Sequence, residues 1–108
     1  MSDMIQEYRL RGRENAVIQV EMPKGASVIG VYVKDDEPYV CAFVDSSAEK
    51  IKRHFAVISN GGPLPEEPRH YVGTIVVPAH VKHIAYSEPM PVQSFVGHVF
   101  TDRKEYPL

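Results

Sequence analysis

His80 and His83 sit close together in His80-Val81-Lys82-His83, with His98 and the carboxylates Glu88 and Asp102 nearby in sequence. Imidazole and carboxylate are ligands for zinc and related divalent ions, which need three or four such groups converging. A strand over Val81–Tyr86 points His80 and His83 to opposite faces and opposes chelation, whereas a turn at Pro78–Val81 would bring them together. A metal-dependent enzyme or ligand binder using His80, His83 and His98 is therefore the alternative reading. Nucleophilic hydrolysis would need a base beside the nucleophile, oriented by a third group. Ser94 and His98 share a face of the last strand, but four residues of extended chain hold them beyond hydrogen-bond reach. No G-x-S-x-G elbow is present. His98, between Val96 and Phe100, reads as a hydrogen-bonded histidine in or near the core, and Cys41 as a small buried hydrophobe.

Other candidates are binding residues rather than catalytic ones. Asn60-Gly61-Gly62-Pro63 has the glycines of a phosphate loop but neither the following lysine nor the helix, so it reads as a turn. It opens a proline-rich loop in which Asn60, Pro63, Leu64 and Pro65 are candidate contacts. A second loop, Tyr86–Val92, offers Tyr86 and Met90. Tyr32 and Tyr39 fall side by side on one strand face, where they form either a core pair or an exposed patch for a partner.

The elements that must position these residues are strands. Val28–Val33 and Tyr39–Val44 are dense in β-branched and aromatic residues and flank the polar turn Lys34-Asp35-Asp36-Glu37-Pro38. Pairing Lys34 with Glu37 sets Tyr32 against Tyr39, Val31 against Val40, and Val28 against Phe43. Ile29, Val31 and Val33 then share a face with Val40, Ala42 and Val44. Gly30, opposite Cys41, leaves room for a neighbour or marks a bend. Further strands are predicted at Ile5–Leu10, Ala16–Met22, Arg53–Ile58, Tyr71–Val77, Val81–Tyr86 and Val92–Phe100. The capping-box spacing of Ser46-Ser47-Ala48-Glu49 predicts a short helix over Ser47–Lys52. The expected fold is all-β and mainly antiparallel, a small sandwich or barrel of seven or eight strands with at most one short helix. It forms a single domain over residues 1–108, with a fraying tail at 101–108.

Composition narrows the function classes. With 108 residues, 44% apolar, 24% charged and a net charge of −2, the chain is an ordinary globular one with no basic patch for nucleic acid. One cysteine gives no internal disulfide, and no signal peptide or membrane span is expected, so the expected location is the cytoplasm.

A set of motifs runs through the chain: Met22-Pro23-Lys24-Gly25-Ala26, Ala42-Phe43-Val44-Asp45, Gly61-Gly62-Pro63-Leu64-Pro65, His70-Tyr71-Val72-Gly73-Thr74 and Phe95-Val96-Gly97-His98-Val99-Phe100. Their order resembles a family of small β-rich proteins of tailed bacteriophages and prophages. Its pattern runs L-P-K-G-A, A-L-V-D, a G-x-P-I-P loop, R-Y-I-G-T and a closing L-V-W-H-V-F. The chain departs from it in having His70 before the tyrosine and in an added stretch around His80–Gln93. The resemblance implies a phage or mobile-element origin and a compact β fold, and it assigns no catalytic residue. Together these observations lead us to expect a non-enzymatic protein-interaction module without a cofactor. Its loops and strand edges would bind a protein partner: a second copy, a virion component, or a host protein such as a defence system. The product would act in the host cytoplasm or enter the virion.

Overall fold

The central hairpin forms where its turn chemistry puts it. Asp35 and Asp36 both take positive φ (51° and 62°), the left-handed geometry that suits a two-residue hairpin and that aspartate tolerates. Lys34 pairs with Glu37, Tyr32 with Tyr39, Val31 with Val40 and Gly30 with Cys41, as the sequence predicts. Beyond Gly30 the register shifts. Val28 opposes Ala42 rather than Phe43, and Phe43 opposes Ser27. Ile29 is the extra residue of a β-bulge, and a bulge turns its added side chain away from the regular alternation. Ile29 is consequently 53% exposed, while Val28 packs against the core in the place expected for Ile29.

The computed structural model describes residues 3–78 and 94–108. The expected strand Val81–Tyr86 lies outside the described residues, as do His80, His83, Tyr86 and Met90. Seven strands are described: β1 (Asp3–Arg9), β2 (Val17–Pro23), β3 (Ser27–Lys34), β4 (Glu37–Asp45), β5 (Lys50–Ser59), β6 (His70–Pro78) and β7 (Ser94–Thr101). They form two antiparallel sheets, ordered β1-β4-β3 and β2-β5-β7-β6. The fold is all-β, and none of the described residues is helical. No helix among them is long and apolar enough to cross a membrane.

The helix expected over Ser47–Lys52 is a turn followed by strand. The Asp45 carboxylate accepts from the Ser47 amide (3.0 Å) and hydroxyl (2.6 Å), and the Ala48 amide donates to the Asp45 carbonyl (3.0 Å). Lys50–Lys52 then pair with Glu21–Pro23 of β2, so cross-strand pairing overrides the local capping signal.

The core lies between the sheets. Val40, Ala42 and Val44 of β4 face Ile18, Val20 and Met22 of β2, Phe55 and Val57 of β5, Ile75 and Val77 of β6, and Val99 of β7. Strand β3 packs over β6, and the sheets come close at Gly73. A Cβ there would stand 2.7 Å from Cγ1 of Val31, so a larger residue would force Val31 to shift. The tail packs back on β5. Tyr106 bridges to Lys52 through two backbone hydrogen bonds (2.7 and 2.9 Å), and its ring stacks on His54 at 4.2 Å.

Candidate functional site

Alternation in the three-stranded sheet sends Val40, Ala42 and Val44 inward, so Tyr39, Cys41 and Phe43 point away from the core. Phe43 pairs directly with Ile5 of β1, which places their side chains in contact range on that outer face. On β3 the exposed, bulged Ile29 falls between the partners of Ala42 and Cys41. Ile5 is 61% exposed and Phe43 50% exposed, so three large apolar side chains gather where no described residue covers them. Cys41 is half-buried on this face rather than in the core.

The polar end of the same face is already neutralised. Glu7 accepts a hydrogen bond from the Tyr32 hydroxyl and an ion-paired one from Lys34 Nζ (2.6 Å), and Arg9 pairs with Glu37. Tyr32 and Tyr39 stack with centroids 6.0 Å apart, and Lys34 Nζ sits 5.6 Å from the Tyr39 ring centre. Lys34 and then Tyr32 hold the Glu7 carboxyl below its ordinary pKa, and the Glu7 carboxylate pushes the Tyr32 phenol up to about 12. Tyr32 and Tyr39 are thus brought together as predicted, as a half-buried surface pair rather than a core pair.

On the outer face of the second sheet, four side chains form one hydrogen-bonded row. The Tyr71 hydroxyl meets Thr74 Oγ1, Thr74 Oγ1 meets His98 Nδ1 (3.0 Å), and His98 Nε2 meets Asn60 Oδ1 (2.6 Å). An amide oxygen only accepts, so Nε2 carries the ring proton and Nδ1 accepts from Thr74. His98 is therefore hydrogen-bonded as expected, but on the outside of the sheet and not in the core. Both of its ring nitrogens are engaged in hydrogen bonds. The row ends in an amide that cannot take up a proton, so it fixes Asn60 and its turn rather than moving charge. No group of three metal-ligating side chains occurs among the described residues.

Asn60 sits at a turn closed by the Gly62 amide donating to the Ser59 carbonyl (2.9 Å), with Gly61 at φ 83°. Pro63, Leu64 and Pro65 follow as an exposed strip in which Leu64 is 54% exposed. The sequence reading missed Ile5, Ile29 and Phe43 as surface residues. Hydrophobic residues on both faces of a strand read as a doubly covered strand, and only the sheet order shows that one face lacks a cover among the described residues.

No curated protein and no solved structure matches the chain. A family model described as a domain of unknown function (DUF7352) matches residues 1–89, and the chain, with its two-sheet fold, belongs to that family.

Proposed function

We propose that this chain is a non-enzymatic protein-interaction module of phage or prophage origin, and that the outer face of the three-stranded sheet docks a second copy of the chain. The observation that carries this reading is the exposed row Ile5, Phe43 and Ile29. Grouped large apolar side chains on a surface favour association, because each removes about 25 cal/mol per Å2 of apolar area from water. The charges around the row favour a copy over a charged partner. Glu7 is matched by Lys34 and Arg9 by Glu37, so the tyrosine end of the face adds no excess charge, while Asp3 and Asp45 pair on the same face beyond Ile5 and Phe43. An apolar patch is its own complement in a two-fold contact. The open edges of β1 and β3 flank the patch, and the loop with Leu64 offers a further contact to a virion or host protein. The order of motifs resembling phage and prophage proteins supports the origin.

Sedimentation of the wild-type chain against Phe43→Glu and Ile5→Glu tests the reading. Both side chains point outward, so each variant should keep its circular dichroism spectrum. The wild type should sediment as a dimer and both variants as monomers. A wild type that stays monomeric at high concentration overturns the self-association. An identified phage or host protein whose binding is abolished by Phe43→Glu would then assign the same face to that partner.

A further inference from the structure

Arg9, Arg11 and Arg13 stand at alternate positions where the chain leaves β1, and they rim a cavity of about 470 Å3 between the two sheets. Its floor is apolar: Leu10, Ile18 and Val57 are buried core residues, and Phe95 is partly buried beside them. Arg9 is neutralised by Glu37. Arg11 and Arg13 are exposed and have neither an ion-pair nor a hydrogen-bond partner among the described residues. Glu14 is the other acid on the rim.

The rim is held in place before any ligand arrives. The Asn15 amide donates to the Val57 carbonyl (2.7 Å), and the Asn15 side-chain oxygen accepts from the Ser59 amide (3.1 Å). Gly12 presses against the floor, where a Cβ would stand 2.7 Å from Cγ1 of Ile18. The backbone that carries the two unmatched cations is thus anchored beside an apolar hollow, which lowers the ordering cost of binding.

We propose that this cleft binds a phosphate monoester carried on a flat apolar body, of the nucleoside or aryl phosphate class. A carboxylate is matched by one guanidinium. Arg11 and Arg13, against the single carboxylate of Glu14, leave the rim net positive with two guanidinium forks, which suits an anionic group with several acceptor oxygens such as a phosphate monoester. Phosphate alone would leave the floor uncovered. The volume falls within the range of roughly 300–1,000 Å3 typical of small-ligand pockets, so an aromatic ring can enter against the partly buried Phe95, in a cleft that the buried Leu10, Ile18 and Val57 also line.

Nuclear magnetic resonance titration of the full chain with adenosine monophosphate and with phenyl phosphate tests the site, with adenosine and inorganic phosphate as controls. Both esters should give saturable shifts of the Leu10, Ile18 and Val57 methyls, and each control should bind about tenfold more weakly or worse. Arg11→Ala combined with Arg13→Ala should weaken the esters by about tenfold or more, and added salt should weaken the wild type more than the variant. If the double variant fails to fold, the single substitutions carry the same comparison. The proposal is overturned if the esters leave these methyls unmoved, if inorganic phosphate binds as tightly as the esters, or if loss of the arginines changes nothing.

Discussion

Arg53 carries a charge into the interior at the end of the sandwich where β3 begins and β7 ends. Its guanidinium donates to the Ala26 carbonyl (2.8 Å) and the Asp102 carbonyl (2.7 Å), tying two sheets together while only 5% exposed. Burial pulls its pKa below the ordinary arginine value, against the nearby charges of Glu105 and Asp102. Two effects oppose one another when this side chain is replaced by Met. Removing a desolvated charge relieves the fold, whereas stranding two carbonyls costs about 1–3 kcal/mol each. The second effect is counted twice, so Arg53→Met should lose about 2 kcal/mol in a urea unfolding titration. Tyr32 offers a different test. Its phenol is raised from about 10 to about 12 by Glu7, so this contact supports the fold below pH 10 and is lost as the pH climbs towards 12. The Glu7 carboxyl is shifted downward, so its contribution is present above pH 4.5 and fades as the pH falls through its folded value. In a near-ultraviolet titration, the difference between wild type and Tyr32→Phe should have its midpoint near 12. In a Glu7→Gln background the midpoint should fall back towards 10.

Among the elements, the last residues do the work of an extra strand segment. β7 ends opposite Phe55, and beyond it Tyr106 takes up the free backbone groups of Lys52 on β5. Glu105 accepts from the Gly25 amide (2.6 Å), and Lys104 pairs with Glu67 (2.5 Å). Removing residues 103–108 should cost about 2–3 kcal/mol, the sum of two backbone hydrogen bonds and one ring stack. Hydrogen exchange reads it directly: the Lys52 amide should be protected in the full chain and fast in the shortened one. A run of charged residues ending in Tyr-Pro-Leu gives no local sign of this docking, because the partner groups lie 37 or more positions upstream. The central hairpin, by contrast, is legible to the residue from Lys34–Glu37 back to Gly30–Cys41, since an Asp-Asp turn sets its register locally. Its bulge is not, because the displacement of Ile29 is felt only through the sheet. Arg53 was hidden at a boundary, between the helix expected over Ser47–Lys52 and the strand expected over Arg53–Ile58. The alternation Ile51, Arg53, Phe55, Val57 is the signal that places the arginine inward.

For the molecule as a whole, the class of fold follows from the density of β-branched segments and the turns between them. The candidate surfaces do not. Both the apolar face at Phe43 and the arginine-rimmed cleft join residues from strands far apart in the chain, which a linear pattern cannot bring together. The same long-range wiring has a consequence for how the protein is made. β1 waits for β4 and β2 waits for β5, and among the described residues β6 has no ladder partner except β7. As the chain leaves the ribosome, the three-stranded sheet can zip once residue 45 has emerged, yet β5 and β6 stay unjoined until Ser94–Thr101 arrives. The family match stops at residue 89, short of that strand. A fragment cut at 89 should therefore emerge with two bare β-edges and collect in the insoluble fraction, while the full-length product stays in the supernatant.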